Sequence, residues 1–139
     1  MSGGEILIYV SDDFGCPENW DKLLRERIPK ADNYLLWVDD GIQNRNTVVT
    51  IPIMSRGLYN TLGYFWHPDY ESMWVDVDLY YTVKKLSALV DCKDLLFEHR
   101  HYSIGKAQYD DTYKAHDNQA RGDKGLQIFN QRQTEGFIV

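Results

Sequence analysis

Apolar positions along the chain fall in short runs separated by turn-forming residues, and their spacing predicts alternating strands and helices. Ile6, Leu7, Ile8 and Val10 put four apolar side chains in five positions, a buried strand that breaks at Ser11-Asp12-Asp13. Pro17-Glu18-Asn19 then opens a helix, with proline tolerated in the first turn and Glu18 suited to the positive helix end. Trp20, Leu23, Leu24 and Ile28 form one stripe, and Pro29 stops it. Tyr34 to Val38 reads as a second strand, closed by Asp39-Asp40 and the turn residue Gly41. Thr47 to Met54 is a third extended segment, and Pro52 assigns it to a sheet edge or a strand end. Ser55 caps a short helix over 56–62 that Gly63 terminates.

An aromatic loop follows, Tyr64-Phe65-Trp66-His67-Pro68-Asp69-Tyr70. A longer helix is expected from near Trp74 to about Ala88, with Leu79, Val83 and Leu86 on its inner face. Leu89 to Cys92 and Leu95 to Glu98 are two extended pieces leading to His99-Arg100-His101. The segment 106–139 is polar with weak periodicity, which fits either an amphipathic helix or a tail ordered by docking. No repeat or linker divides the chain, so 1–139 reads as a single domain of α/β or α+β pattern.

Composition narrows the choice of partners. The 139 residues are 43% hydrophobic and 14% aromatic, enough to fold around a core. The net charge of −6, without a Lys/Arg block, argues against nucleic acid. A small anion could be held locally if a cation stood between it and the carboxylates. Cys16 and Cys92 form no C-x-x-C, which suits two reduced thiols in a cytoplasmic protein. No apolar run approaches the ~18 residues of a membrane span.

Four groups could carry chemistry. Asp12-Asp13 stands at a strand end, where open α/β sheets place ligands, and paired carboxylates suit a hard divalent cation. The plain alternative is an Asx-turn before the helix. Asp76 and Asp78 lie at a helix start and face different directions, so one at most can enter a given pocket; capping is the alternative. His99 and His101, two apart in extended chain, share a face and could converge on a metal or phosphate. Trp66, Tyr70 and Trp74 could stack on sugar faces or simply fill a core.

In order and spacing these pieces resemble the GT-A-fold glycosyltransferases, in particular the large inverting family that uses nucleotide-sugar donors. Ser11-Asp12-Asp13 occupies the place of that family's D-x-D-like motif. Leu62-Gly63-Tyr64-Phe65 resembles its Gly-aromatic-Phe segment, and Val75-Asp76-Val77-Asp78-Leu79 its E-D-x-D-L helix start. Two positions depart from the pattern: Ser11 replaces the first acid, and Val75 replaces the glutamate of the E-D pair.

The resemblance covers about residues 6–113 and implies a GT-A-like α/β fold, a mixed sheet flanked by helices. It implies Asp76 as catalytic base, Asp12 and Asp13 toward the nucleotide diphosphate, and Mn2+ or Mg2+ held by Asp13 with His99 or His101. Trp66, Tyr70 and Trp74 would line an acceptor groove. The partners implied are a nucleotide-sugar donor and a carbohydrate acceptor. Because the family places several βα units before its acidic motif, the chain resembles an acceptor-binding, C-terminal half. From this we expect no turnover by the chain alone, and a homo-oligomer formed through an unpaired sheet edge. A carbohydrate-binding or assembly module that keeps the fold without turnover is the alternative.

Overall fold

The computed structural model describes residues 3–42, 47–101, 105, 108, 111–116 and 118–139. In chain order the elements are β1 (Ile6–Ile8), β2 (Phe14–Gly15), α1 (Trp20–Arg25), β3 (Leu35–Asp39), β4 (Ile53–Ser55), α2 (Arg56–Leu62) and α3 (Val75–Lys85). Then come β5 (Leu89–Leu96), β6 (Glu98–His99), α4 (Asp111–His116) and α5 (Gln119–Thr134). The architecture is mixed α/β. A four-stranded sheet of order β1-β4-β3-β5 is flanked by helices, and β2 and β6 form a separate ribbon.

The sheet is mixed because β3 pairs antiparallel with β4 and parallel with β5. Residues of β3 alternate between two apolar layers, as the two-residue side-chain period of a strand requires. Leu36 and Val38 pack with Leu24, Ile53, Cys92 and Phe97 on one face. Leu35 packs with Met54, Leu58, Leu79 and Val83 on the other. A strand covered on both faces reads as a continuous apolar run, which is what Tyr34 to Val38 is.

Several sequence expectations hold closely. The Ser55 hydroxyl accepts from Leu58 N at 3.1 Å and also from Tyr34 N at 3.1 Å, so it caps α2 and ties it to β3. Gly63 ends α2 at φ 81°, the left-handed conformation glycine adopts freely. Of the 106–139 segment, α5 realises the amphipathic-helix alternative, burying Gly125, Phe129 and Arg132 along one face.

Other elements are shorter than the pattern suggests. The first strand ends at Ile8, and Tyr9 and Val10 are exposed. α1 begins only at Trp20, after Asn19 in the left-handed region, and ends at Arg25, leaving Trp20 and Ile28 exposed. Only 53–55 of the third segment is strand. Pro52 stands just before it, and β4 lies inside the sheet, so the strand-end reading of the proline holds and the edge reading does not. α3 stops at Lys85, which leaves Leu86 exposed rather than inward. The two pieces over 89–98 are one strand followed by the short β6. Among the described residues β1 pairs with β4 alone, so its other side is a sheet edge.

α3 and α5 are joined by a buried ion pair. Arg132 Nε donates to Asp78 Oδ2 at 2.5 Å and Nη2 to Asp78 Oδ1 at 3.2 Å. Tyr70 Oη (2.8 Å) and Thr82 Oγ1 (3.0 Å) donate to the same carboxylate. The aromatic loop, α3 and α5 therefore meet at one buried anion, whose charge is matched and whose lone pairs are occupied.

Candidate functional site

The ribbon places the first acidic group. β2 and β6 pair antiparallel with Phe14 opposite His99, and Arg100 N donates to Asp13 O at 2.8 Å. This register brings His99 Nε2 within 3.0 Å of Asp13 Oδ2 and stacks the His99 ring on Phe14, with centroids 4.4 Å apart. The Ser11 hydroxyl donates to the Asp13 carboxylate from the other side. His101 meets the His99 ring edge-on at 5.1 Å, so the shared face expected of the two histidines is present.

The same ribbon is fastened to the end of β3. Phe97 N donates to Asp39 O and His99 N to Asp40 O, each at 2.8 Å. Asp40 is buried at 2% exposure, and its Oδ1 accepts from Ile42 N. Asp40 lies near enough to Asp76 for its charge to raise the Asp76 pKa, while His99 lowers it. Two carboxylates from different elements thus share one electrostatic neighbourhood with an imidazole.

Asp76 sits in the first turn of α3, its carboxylate accepting from Val77 N at 2.9 Å and its carbonyl from Val49 N at 3.1 Å. Burial pushes its pKa above the usual carboxylate range, and the backbone donors of the helix start offset this only in part. The helix end, which by itself would keep a first-turn aspartate charged, is outweighed. Desolvation wins here because Asp76 lies inward. Asp78 points elsewhere, into the Arg132 cluster, as the two-residue spacing requires.

Asp76 and His99 open onto a cleft of about 1060 Å3 whose lining also includes His101, Trp66, Tyr70 and Trp74. Tyr9, Ser11, Phe14 and Glu71 also contribute. Tyr9 meets Trp66 edge-on at 5.5 Å, extending the aromatic wall onto the end of β1. The Tyr70 hydroxyl stays protonated, its pKa raised by burial and by the Asp78 carboxylate to which it donates. Burial lowers the pKa of His67 in the same loop.

Of the nine residues singled out from sequence, six line this cleft, Asp13 adjoins it through its contact with His99, and Asp78 is turned to Arg132. Asp12 is exposed in the turn and is absent from the lining. Sequence reasoning treated Asp39-Asp40 as a turn marker and did not weigh it as a site. The signal was there, since that pair ends a hydrophobic strand just as Asp12-Asp13 does. Tyr9 and Phe14 carried no signal, because only the ribbon and the end of β1 bring them to the cleft.

No family model matches the chain, and neither the curated proteins nor the solved structures include a match to it. Among the described residues no helix is long and apolar enough to cross a membrane. Among the same residues no three His, Cys, Asp or Glu side chains form a metal-holding group. Mg2+ and related hard cations are commonly bound by one or two carboxylates together with substrate phosphates. Here the two candidate ligand atoms, His99 Nε2 and Asp13 Oδ2, are hydrogen-bonded to each other.

Proposed function

We propose that this chain is the acceptor side of a metal-assisted, inverting glycosyl transfer on a GT-A-like fold. The observation that carries the reading is the convergence of Asp76, with its raised pKa, and the Asp13–His99 pair on one aromatic cleft. Trp66, Tyr70 and Trp74 offer ring faces and edges to the C–H faces of an acceptor sugar. Asp76 takes the proton of the acceptor hydroxyl as its oxygen bonds to the donor's anomeric carbon and the bond to the diphosphate breaks. A raised pKa makes Asp76 a stronger base, the direction general base catalysis favours near neutral pH. Mn2+ or Mg2+, held by Asp13 and His99 with His101 beside them, would neutralise the leaving diphosphate. Asp40 adds a further buried carboxylate to that neighbourhood.

His99 Nε2 is engaged by Asp13 Oδ2 at 3.0 Å, and this favours a second reading, a carbohydrate-binding module with no turnover. Two titrations separate the readings. Tryptophan fluorescence should respond to neutral oligosaccharides, and the response should fall in Trp66→Ala. Calorimetry with Mn2+ should show weak binding that disappears in Asp13→Asn and is reduced in His99→Ala. Sugar binding without Mn2+ binding would leave the binding module. Absence of both would remove the carbohydrate reading altogether.

A further inference from the structure

The first turn of α3 begins in a conformation its residue type resists. Trp74, the residue before the helix, takes φ 75°, in the left-handed region where a bulky side chain is strained, and makes no side-chain cap bond. Strain of this kind persists only when the surroundings over-determine it, and here the neighbour is α5. A Cβ added at Gly125 would lie 2.4 Å from the Met73 carbonyl oxygen and 3.0 Å from Trp74 Cδ1. The α5 backbone is therefore seated directly on the Met73–Trp74 peptide. One turn further, the buried Phe129 packs its ring 5.4 Å from Trp74. One turn earlier, a Cβ added at Gly122 would meet only the thioether of Met73, 3.4 Å from its sulfur. Arg132 anchors the far end of α5 on Asp78, and Asn118 and Gln119 at its near end line the cleft.

We propose that α5 is a buttress that holds Trp74 in its left-handed conformation and thereby sets the placement of Asp76, two residues on. Gly125 and Phe129 are then positioning residues for a cleft that neither of them lines. The geometry is independent of the sugar chemistry; its consequence for binding rests on the carbohydrate reading above. The logic is mechanical. With no side-chain cap of its own, the start of α3 is held from outside, and any side chain at 125 forces α5 and the 73–74 peptide apart.

The test compares Gly125→Ala with Gly122→Ala in the full chain. Both substitutions replace glycine by alanine in one helix and gain the same intrinsic propensity, so their difference reads the contact alone. Amide and indole resonances in 1H–15N spectra report the geometry, and maltohexaose titration reports the cleft. Gly125→Ala should move the Trp74 indole and the Val75, Asp76 and Val77 amides, and weaken maltohexaose binding about tenfold or more. Gly122→Ala should leave both unchanged.

Unmoved Val75–Val77 resonances in Gly125→Ala, or equal movement in both variants, would overturn the proposal. If Gly125→Ala does not fold, Phe129→Leu must move the same resonances, and their staying in place overturns it equally. If the wild type binds no maltohexaose while Gly125→Ala still shifts those resonances, the buttress stands and the sugar reading falls.

Discussion

Replacing Arg132 by methionine should be among the most damaging single changes outside the sheet. The Arg132 and Asp78 side chains are 6% and 1% exposed, so water cannot take over the lost contacts. Arg132→Met removes two charged hydrogen bonds from Asp78 and leaves its carboxylate buried with only the Tyr70 and Thr82 hydroxyls. Breaking one side of a buried pair costs about 3–5 kcal/mol, mostly the penalty of the stranded charge. Against the ~5–15 kcal/mol stability of an ordinary domain this is a large share, and the melting temperature should drop by roughly 10 °C or more. The assay is urea and thermal unfolding followed by circular dichroism. The stranded-charge argument makes a second demand. Adding Asp78→Leu to Arg132→Met should recover half or more of the loss, because the buried anion is gone. A single-variant cost below about 1 kcal/mol, the scale of an exposed pair, would refute the reasoning. So would a double variant that loses the sum of the two single changes.

Asp76→Asn should stabilise the fold at neutral pH. With its pKa raised in the folded state, Asp76 binds its proton more tightly there than in the unfolded chain, so it penalises folding once pH exceeds the folded value. The gain in melting temperature should be present at pH 7 and vanish near pH 3, where both states carry the proton; a gain at pH 3 equal to that at pH 7 would count against burial as the cause. In an assay where transfer is observed, the same variant should lose ~10²-fold or more in turnover while donor binding holds. His67 has the opposite linkage. Its folded pKa is lowered, so its contribution is complete above the unfolded value near 6.5 and is lost as pH falls through the folded value. His67→Gln should flatten the acid side of the stability profile, measured as unfolding midpoints between pH 7 and 5. Ser55→Ala removes the acceptor for both Leu58 N and Tyr34 N and should cost about 1–2 kcal/mol in urea unfolding, whereas loss of only a few tenths would mean that water replaces the hydroxyl. Association through the outer edge of β1 predicts a dimer or larger species in sedimentation at high concentration; a clean monomer there would show that a three-residue strand is too short to recruit a partner.

Much of the fold follows from local physics and was therefore legible in the chain. Ser55 and Gly63 bracket α2 because a hydroxyl before a helix and a glycine after it solve problems confined to a few residues. Tyr34 to Val38 reads as a buried strand because both its faces must be apolar. The two-residue spacings decided that His99 and His101 share a face and that Asp76 and Asp78 do not. Periodicity failed where an element ends for reasons outside itself. α3 stops at Lys85, and Ser87 then takes φ 54° as the chain turns into β5, so Leu86 has no facing layer. α1 ends at Arg25, and its stripe is buried only at Leu24.

The site was half legible. The residue types that do chemistry stand out in sequence, but their meeting depends on register and on contacts between distant parts of the chain. Only the pairing of Phe14 with His99 sets Asp13 on an imidazole 86 positions away. Only the tertiary packing that sets the end of β3 near the start of α3 brings Asp40 toward Asp76. The sign of the Asp76 shift was likewise out of reach, because the helix end acts locally and can be read from position, whereas desolvation depends on what the rest of the fold packs around the carboxyl. Arg132 looked like one charge among many in a polar helix, and it took the tertiary structure to bury it against Asp78.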